Sequence, residues 1–524
     1  MIRKLLLSAS ALAAMLPGVA SAAWYQASSK HFVVYANDDP DKVKAYTAKL
    51  ERFDKAIRVW HVAPEEKRGP ASRVTIFVMD DVNAIQKLSG SSTVAGFYIS
   101  RASGSVAFMP RSGGSGDLTA QAILFHEYTH HWMLTTWADA AFPYWFTEGF
   151  AEMHATASVL PNGTVIFGAN PLYRRWTIGR ENLMPAPDLL RVRPSDSLSD
   201  GSRDAVYSRG WLLVHYLTFD LSRRKQMSDY IGAINSGKPI NEAARIFGNP
   251  DTLDQKMNVW VKQPKYPSAQ FTAAELPIGD ISLRPLSAGE AAAMPAMIVS
   301  KRGVSDKSAV QVATLARRLA APYPNDAGAQ NELAEAEFDL ASSTPAGADA
   351  LAGFARAEAA ADRAIAADPR SIHALLYKGM AMEQIAAGNA VTDPAKWQAI
   401  RKWFLAANKI DTEDPEPLVQ YFDSFAAAKQ KPGVNAQNAL IYAYALAPYD
   451  GGLRIKAGTV FLEQGKAKEA RIALAPVAYN FEMGGFTGGL QKVLDLIDAG
   501  DTAGALKLLT TPPEKKDDKG KKGG

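Results

Sequence analysis

The sequence predicts an α+β unit followed by an all-α helical-repeat array. Three observations carry that prediction. Strand-like and helix-like stretches alternate from Trp24 to about Gln263, alanine becomes dense and strand signals vanish beyond about Ser305, and prolines recur through the second half between one helical pattern and the next.

The first residues, Met1 to Ala22, run charged, then apolar from Leu5 to Leu16, then small at Ala20-Ser21-Ala22. This order predicts a secretory signal peptide cleaved after Ala22, and hence a periplasmic or secreted protein. No later segment offers the roughly 20 apolar residues of a membrane helix. With no cysteine in 524 residues, disulfides, thiolate ligands and cysteine nucleophiles are excluded, so any metal site must use His, Asp or Glu. A formal net charge of +4 leaves no basic stripe for nucleic acid.

In the first unit, residues 31–36 and 73–80 are β-branched and aromatic runs that read as strands, and residues 96–100 and 105–111 are two shorter ones. Between the first two, Val43, Tyr46, Leu50, Phe53, Ile57 and Trp60 recur at helical spacing behind Pro40. Further helices are expected over Leu118–Ala138, Trp145–Ala157 and Ser208–Ser222. Residues 264–304, rich in Pro, Ala and Ser, read as a connector that could hold a small strand pair. From 305 to 511 the prolines Pro324, Pro369, Pro415 and Pro448 are spaced 45, 46 and 33 residues apart. The last spacing is near the roughly 34 of a tetratricopeptide repeat, which makes this half TPR-like, with an irregular bundle as the alternative. Stacked helix pairs would present a concave surface to a protein partner. Residues 512–524 read as a charged disordered tail.

Three of the eight histidines fall within "HEYTHH", residues 126–131. His126, Glu127 and His130 fit H-E-x-x-H: on a helix, residues four apart share a face, so two imidazoles can reach one ion while Glu127 addresses a water on it. The alternative is a solvated helix face. A catalytic zinc site needs a third protein ligand, and Glu148 in "PYWFTEGFAE" lies 18 residues after His130 on a second expected helix that can double back. Glu152, one turn on, is either an acceptor that orients a ligand histidine or a surface carboxylate.

H-E-x-x-H followed 18 residues later by Glu within W-x-x-E-G-x-A resembles the gluzincin metallopeptidases, with Thr147 where members usually carry Asn. The resemblance spans roughly residues 24–263 and implies a zincin-like peptidase domain, Zn2+ held by His126, His130 and Glu148, and Glu127 as catalytic base. "AVYSRGWLLVHYL" resembles the Tyr-x-x-Gly helix of the aminopeptidase branch, which implies Tyr207 as a catalytic oxyanion donor, with His215 the alternative. The function implied is hydrolysis of peptide or protein substrates by an endopeptidase. Aminopeptidase action is the alternative, although the upstream glutamate of that branch has no counterpart between Glu66 and Glu127. A binding or scaffold protein with a vestigial zincin unit is the other.

Overall fold

A computed structural model describes residues 24–511, apart from 66–68, 93, 112–113, 116–117, 195 and 480–486. The signal peptide read in residues 1–22 and the tail read in 512–524 lie outside the described residues. The first unit contains β1 (Trp24–Ser28), β2 (Phe32–Asn37), α1 (Pro40–Trp60), β3 (Val74–Met79), α2 (Val82–Ser89), β4 (Phe97–Ile99), β5 (Val106–Pro110), α3 (Ala120–Thr136) and α4 (Tyr144–Ala155). It continues through β6 (Ser158–Val159), β7 (Val165–Phe167), short one-turn helices between 172 and 189, α5 (Asp200–Phe219), α6 (Arg224–Asn235) and α7 (Pro250–Trp260). Then come β8 (Ala269–Phe271), β9 (Ser282–Pro285) and α8 (Ala288–Arg302).

Six strands form one mixed sheet in the order β9-β1-β2-β3-β5-β4. β2, β3 and β5 run parallel, whereas β9, β1 and β4 join antiparallel. Both faces are covered. On one, α1 and α3 bring Phe53, Phe125 and Trp132 into a core shared with Phe32, Val34 and Ile76, and the Phe53 and Phe125 rings stack 3.6 Å apart. On the other, Tyr35, Phe77, Phe108 and Phe97 form a cross-strand aromatic ladder that Ile85 of α2 and Met294 and Ile298 of α8 cover. This two-sided burial explains why β5 reads as a continuous apolar run rather than an alternating one.

The helix ends follow local chemistry. Asp39 caps α1 by accepting from the Asp41 and Lys42 amides, with Pro40 as the first helical residue. The helix expected over 208–222 instead begins at Asp200, because the Ser199 hydroxyl accepts from the Ser202 amide and starts it there.

Residues 264–304, expected to be a connector, are regular structure: the strands extend the first unit, and α8 packs both on that unit and on the helices that follow it. β8 pairs with β7, β9 pairs with β1 with Tyr25 opposite Pro285, and α8 closes a sheet face. The helices beyond are α9 (Ala309–Ala320), α10 (Ala327–Ser343), α11 (Ala348–Ala367), α12 (Ile372–Gly388), α13 (Pro394–Ile410) and α14 (Pro415–Ala427). They continue as α15 (Val434–Leu446), α16 (Gly451–Glu463), α17 (Ala467–Tyr479), α18 (Thr487–Asp498) and α19 (Thr502–Thr510), each packed chiefly on its neighbours in sequence. Pro415 stands first in α14 with Asp414 as its cap, while Pro324, Pro369 and Pro448 sit in turns. Among the described residues no helix is long and apolar enough to cross a membrane.

Two buried histidines tie neighbouring elements together, His215 of α5 to α7 and the segment after it, and His154 of α4 to the end of α1. His215 donates from Nε2 to the Pro267 carbonyl at 3.2 Å and accepts at Nδ1 from the Trp260 indole at 3.0 Å, which requires a neutral ring. His154 donates from Nδ1 to the Phe150 carbonyl at 2.8 Å, with His61 Nε2 at 3.0 Å from its other nitrogen. Burial lowers both rings to about 4. A depressed folded-state pKa contributes stability that is complete above the ordinary value near 6.5 and is lost as the pH falls toward 4.

Lowering the pH from 7 to 5 is therefore expected to cost on the order of 2 kcal/mol per ring. His215→Gln, which cannot take up a proton, should show a smaller drop in thermal midpoint over that interval than the wild type, and an equal drop would refute the assignment. A chain ending at Gln263 lacks β8, β9 and α8, so it should aggregate or melt without cooperativity. Soluble, cooperative melting of that shortened chain would contradict this.

Candidate metal centre

α3 is buried on nearly every side, with Leu124, Phe125, Tyr128, Thr129, Trp132 and Met133 all in the interior. Thr119 caps it through the Ala122 amide. Its rotation is set partly by Tyr128, inside the motif, whose hydroxyl donates to Asp54 Oδ1 of α1 at 2.7 Å. Asp54 Oδ2 takes Arg58 Nε at 2.8 Å, and Glu51 takes His31 Nδ1 at 2.8 Å. His31, Glu51 and Asp54 also cluster closely enough to suggest a cation site. Because Arg58 and Tyr128 already fill the Asp54 oxygens, this network reads as a strut between α1 and α3.

The turn from α3 into α4 is held by Asn235, which accepts from the Ala141 amide at 2.7 Å and donates to the Ala141 carbonyl at 3.2 Å. All twelve residues of α4 are buried. α4 crosses α5 at two glycines: a Cβ on Gly149 would fall inside the Gly210 carbonyl, and one on Gly210 would lie 2.6 Å from the Trp145 oxygen. Gly149 follows Glu148 and Gly210 lies three residues after Tyr207, so this contact brings the Glu148 and Tyr207 segments together.

The structure gathers His126, His130 and Glu148 into one cluster that could hold a metal ion. His126 Nε2 lies 3.1 Å from His130 Nε2, and Glu148 Oε2 lies 3.4 Å from the first and 3.5 Å from the second. Glu148 is 0% exposed, and neither of its oxygens makes a hydrogen bond of good geometry. Burial alone would raise this carboxyl, but the His130 and His126 rings hold it down at about 2. Burial likewise pulls both histidines down, and Glu148 more than offsets it, joined at His126 by Glu152, so both rings titrate above their ordinary value.

Glu152 is buried rather than a surface carboxylate, with Oε1 3.4 Å from His126 Nδ1. Arg174 Nη2 holds that oxygen at 2.8 Å, and the Tyr173 hydroxyl donates to the other at 2.7 Å. Arg174 also pairs with Asp204, which accepts from Thr177 Oγ1 at 2.5 Å. Its guanidinium sits 4.7 Å from the Tyr207 ring centroid, and Tyr207 stacks 5.9 Å from His126. A cleft of about 420 Å³ opens here, lined by His126, Glu127, Glu152, Tyr173, Arg174 and Tyr207. His215 lies away from it, against Pro267 and Trp260.

Sequence reasoning missed Tyr173 and Arg174. They lie in "NPLYRRW", a stretch without periodicity, and no signal in the sequence links them to Glu152 or Asp204. No model of a known protein family matches the chain, and no curated protein matches it.

Gly210→Ala should destabilise the protein by about 1–3 kcal/mol through overpacking at the helix crossing, less the roughly 1 kcal/mol alanine gains in helix propensity. Gly232→Ala on α6, where nothing lies within 4 Å of the added methyl, should be neutral or stabilising. Thermal melts of the two variants test the crossing, and equal midpoints would argue against it.

Proposed function

We propose that the chain is an exported zinc peptidase of gluzincin type, a zincin-like unit carrying a TPR-like array, that cleaves peptide or protein substrates internally. The observation that carries this reading is the triangle of ligand atoms. Tetrahedral zinc with bonds of about 2.0–2.1 Å keeps neighbouring ligand atoms about 3.3–3.4 Å apart. The three edges here are 3.1, 3.4 and 3.5 Å. A buried carboxylate that makes no hydrogen bond of good geometry is costly, and a divalent cation would relieve it. Zinc, when bound, supplies Lewis acidity that brings the ionisation of water toward neutral pH and polarises an acyl oxygen.

The remaining work falls to the chain's own groups. Glu127 lies beside the ligand face and lines the cleft, so its carboxylate takes the proton of the attacking water and passes it to the leaving amine. Tyr207 offers its phenol to the oxygen on which negative charge develops, and Arg174 packed on its ring limits where that hydroxyl can point. Glu152, held by Arg174 and Tyr173, keeps the His126 ring in one orientation. The helical array serves as the surface for a protein substrate or partner. Internal cleavage is favoured over aminopeptidase action because no glutamate stands between Glu66 and Glu127 to hold a substrate α-amine.

Metal analysis and a peptide-library digest of the full chain test the proposal. One zinc per chain is expected, and His126→Ala should abolish its retention. Glu127→Gln should keep the metal and the fold while losing at least 10²-fold in turnover, the low end for a general base. Near-normal turnover in that variant, or a metal-free wild type after reconstitution, would overturn the reading.

A further inference from the structure

The corner between α15 and α16 reaches back across more than 300 residues onto the helix that carries His126 and His130. Tyr449, 1% exposed, places its ring 4.6 Å from the His131 ring. Its carbonyl accepts from Ser100 Oγ at 2.7 Å, and Asp450 Oδ2 accepts from the Ala102 amide at 2.7 Å, so the corner also grips the loop that follows β4. The other oxygen of Asp450 caps α16 through the Leu453 amide at 2.8 Å, which ties the grip to the array's own helix. Arg454, 0% exposed, donates to the Ala138 carbonyl at 2.6 Å just beyond the end of α3. Leu134, Ala141 and Ala102 join Leu453, Ala457 and Leu474 in one apolar core beneath these bonds.

His131 is the centre of the grip. The Tyr98 hydroxyl of β4, two residues before the Ser100 that bonds the Tyr449 carbonyl, meets the His131 Nδ1 at 2.8 Å. His131 follows the ligand His130 directly, so whatever holds the His131 ring helps to set the rotation of α3, together with Tyr128. Ligand atoms stand roughly 6 Å from the axis of such a helix, and a turn of about 10° would displace them by roughly 1 Å, beyond the tolerance of about 0.5 Å of a working site.

We infer that Tyr98 and Tyr449 are positioning residues for the His126–His130–Glu148 centre, acting through His131, and that the helical array thereby completes the centre. The inference rests on the metal-centre reading above. A role in packing alone predicts something different: the variants would melt earlier but bind metal as tightly as the wild type.

The test uses the full chain. Zinc affinity is measured by competition with a chromophoric chelator, and hydrogen exchange of residues 120–136 is followed in the metal-free protein. Tyr98→Phe and Tyr449→Leu should each weaken zinc binding about tenfold and speed exchange in α3. Tyr442→Leu, on an exposed part of α15, should change neither. In a His131→Gln background Tyr98→Phe should have no further effect; should that background fail to fold, the two single variants decide. Unchanged zinc affinity in folded Tyr98→Phe and Tyr449→Leu overturns the inference. If the wild type binds no zinc, the metal-centre reading fails and the inference that rests on it fails with it, an outcome distinct from unchanged affinity in the variants.

Discussion

Two glycines in contact set the geometry on which the candidate site depends. Where α4 crosses α5, Gly149 and Gly210 let two helix backbones approach more closely than any side chain would allow. That closeness is what allows a carboxylate from one helix and a phenol from the other to serve one cleft. Everything around the crossing reinforces it: α4 is buried along its whole length, and Asn235 fixes the turn that delivers it from α3. The polar groups at the bottom are thus held by apolar packing, the usual condition for a site with little room to relax.

The second layer of order is electrostatic. Arg174 joins Glu152 and Asp204 into a single network, so the carboxylate beside His126 is oriented before anything enters the cleft. On the far side of α3, the Asp54 network does the same for Tyr128. The helix that carries His126 and His130 is therefore braced on one face by charge, on another by stacked phenylalanines, and at its C-terminal end by the array.

How much of this was legible follows from the range of the interactions. H-E-x-x-H and the Trp-Phe-Thr-Glu-Gly run could be placed because helical spacing is local, and the structure brings His126, His130 and Glu148 together. The strands β2 to β5 were readable for the same reason, since each is a short run of β-branched and aromatic residues bounded by turns. β9 was not: "SLRP" carries an arginine and a proline, has no alternation, and becomes a strand only because β1 offers it an edge. Arg174 had no local signal, and "APYDGG" reads as a turn before a repeat helix, with nothing to indicate that Tyr449 would lie on His131. Contacts between segments hundreds of residues apart leave no periodic trace.

The pairing of β1 with β9 has a consequence for how the molecule comes into being. A ribosome delivers Trp24–Ser28 early, yet the strand that covers its outer edge ends at Pro285. For more than 250 residues of synthesis the nascent sheet carries an open hydrogen-bonding edge, the kind that recruits other chains. Non-local strand pairing of this sort is slow. The order in which the chain's parts are made therefore differs from the order in which they can become stable, since β1 gains its outer partner only when Ser282–Pro285 has been added.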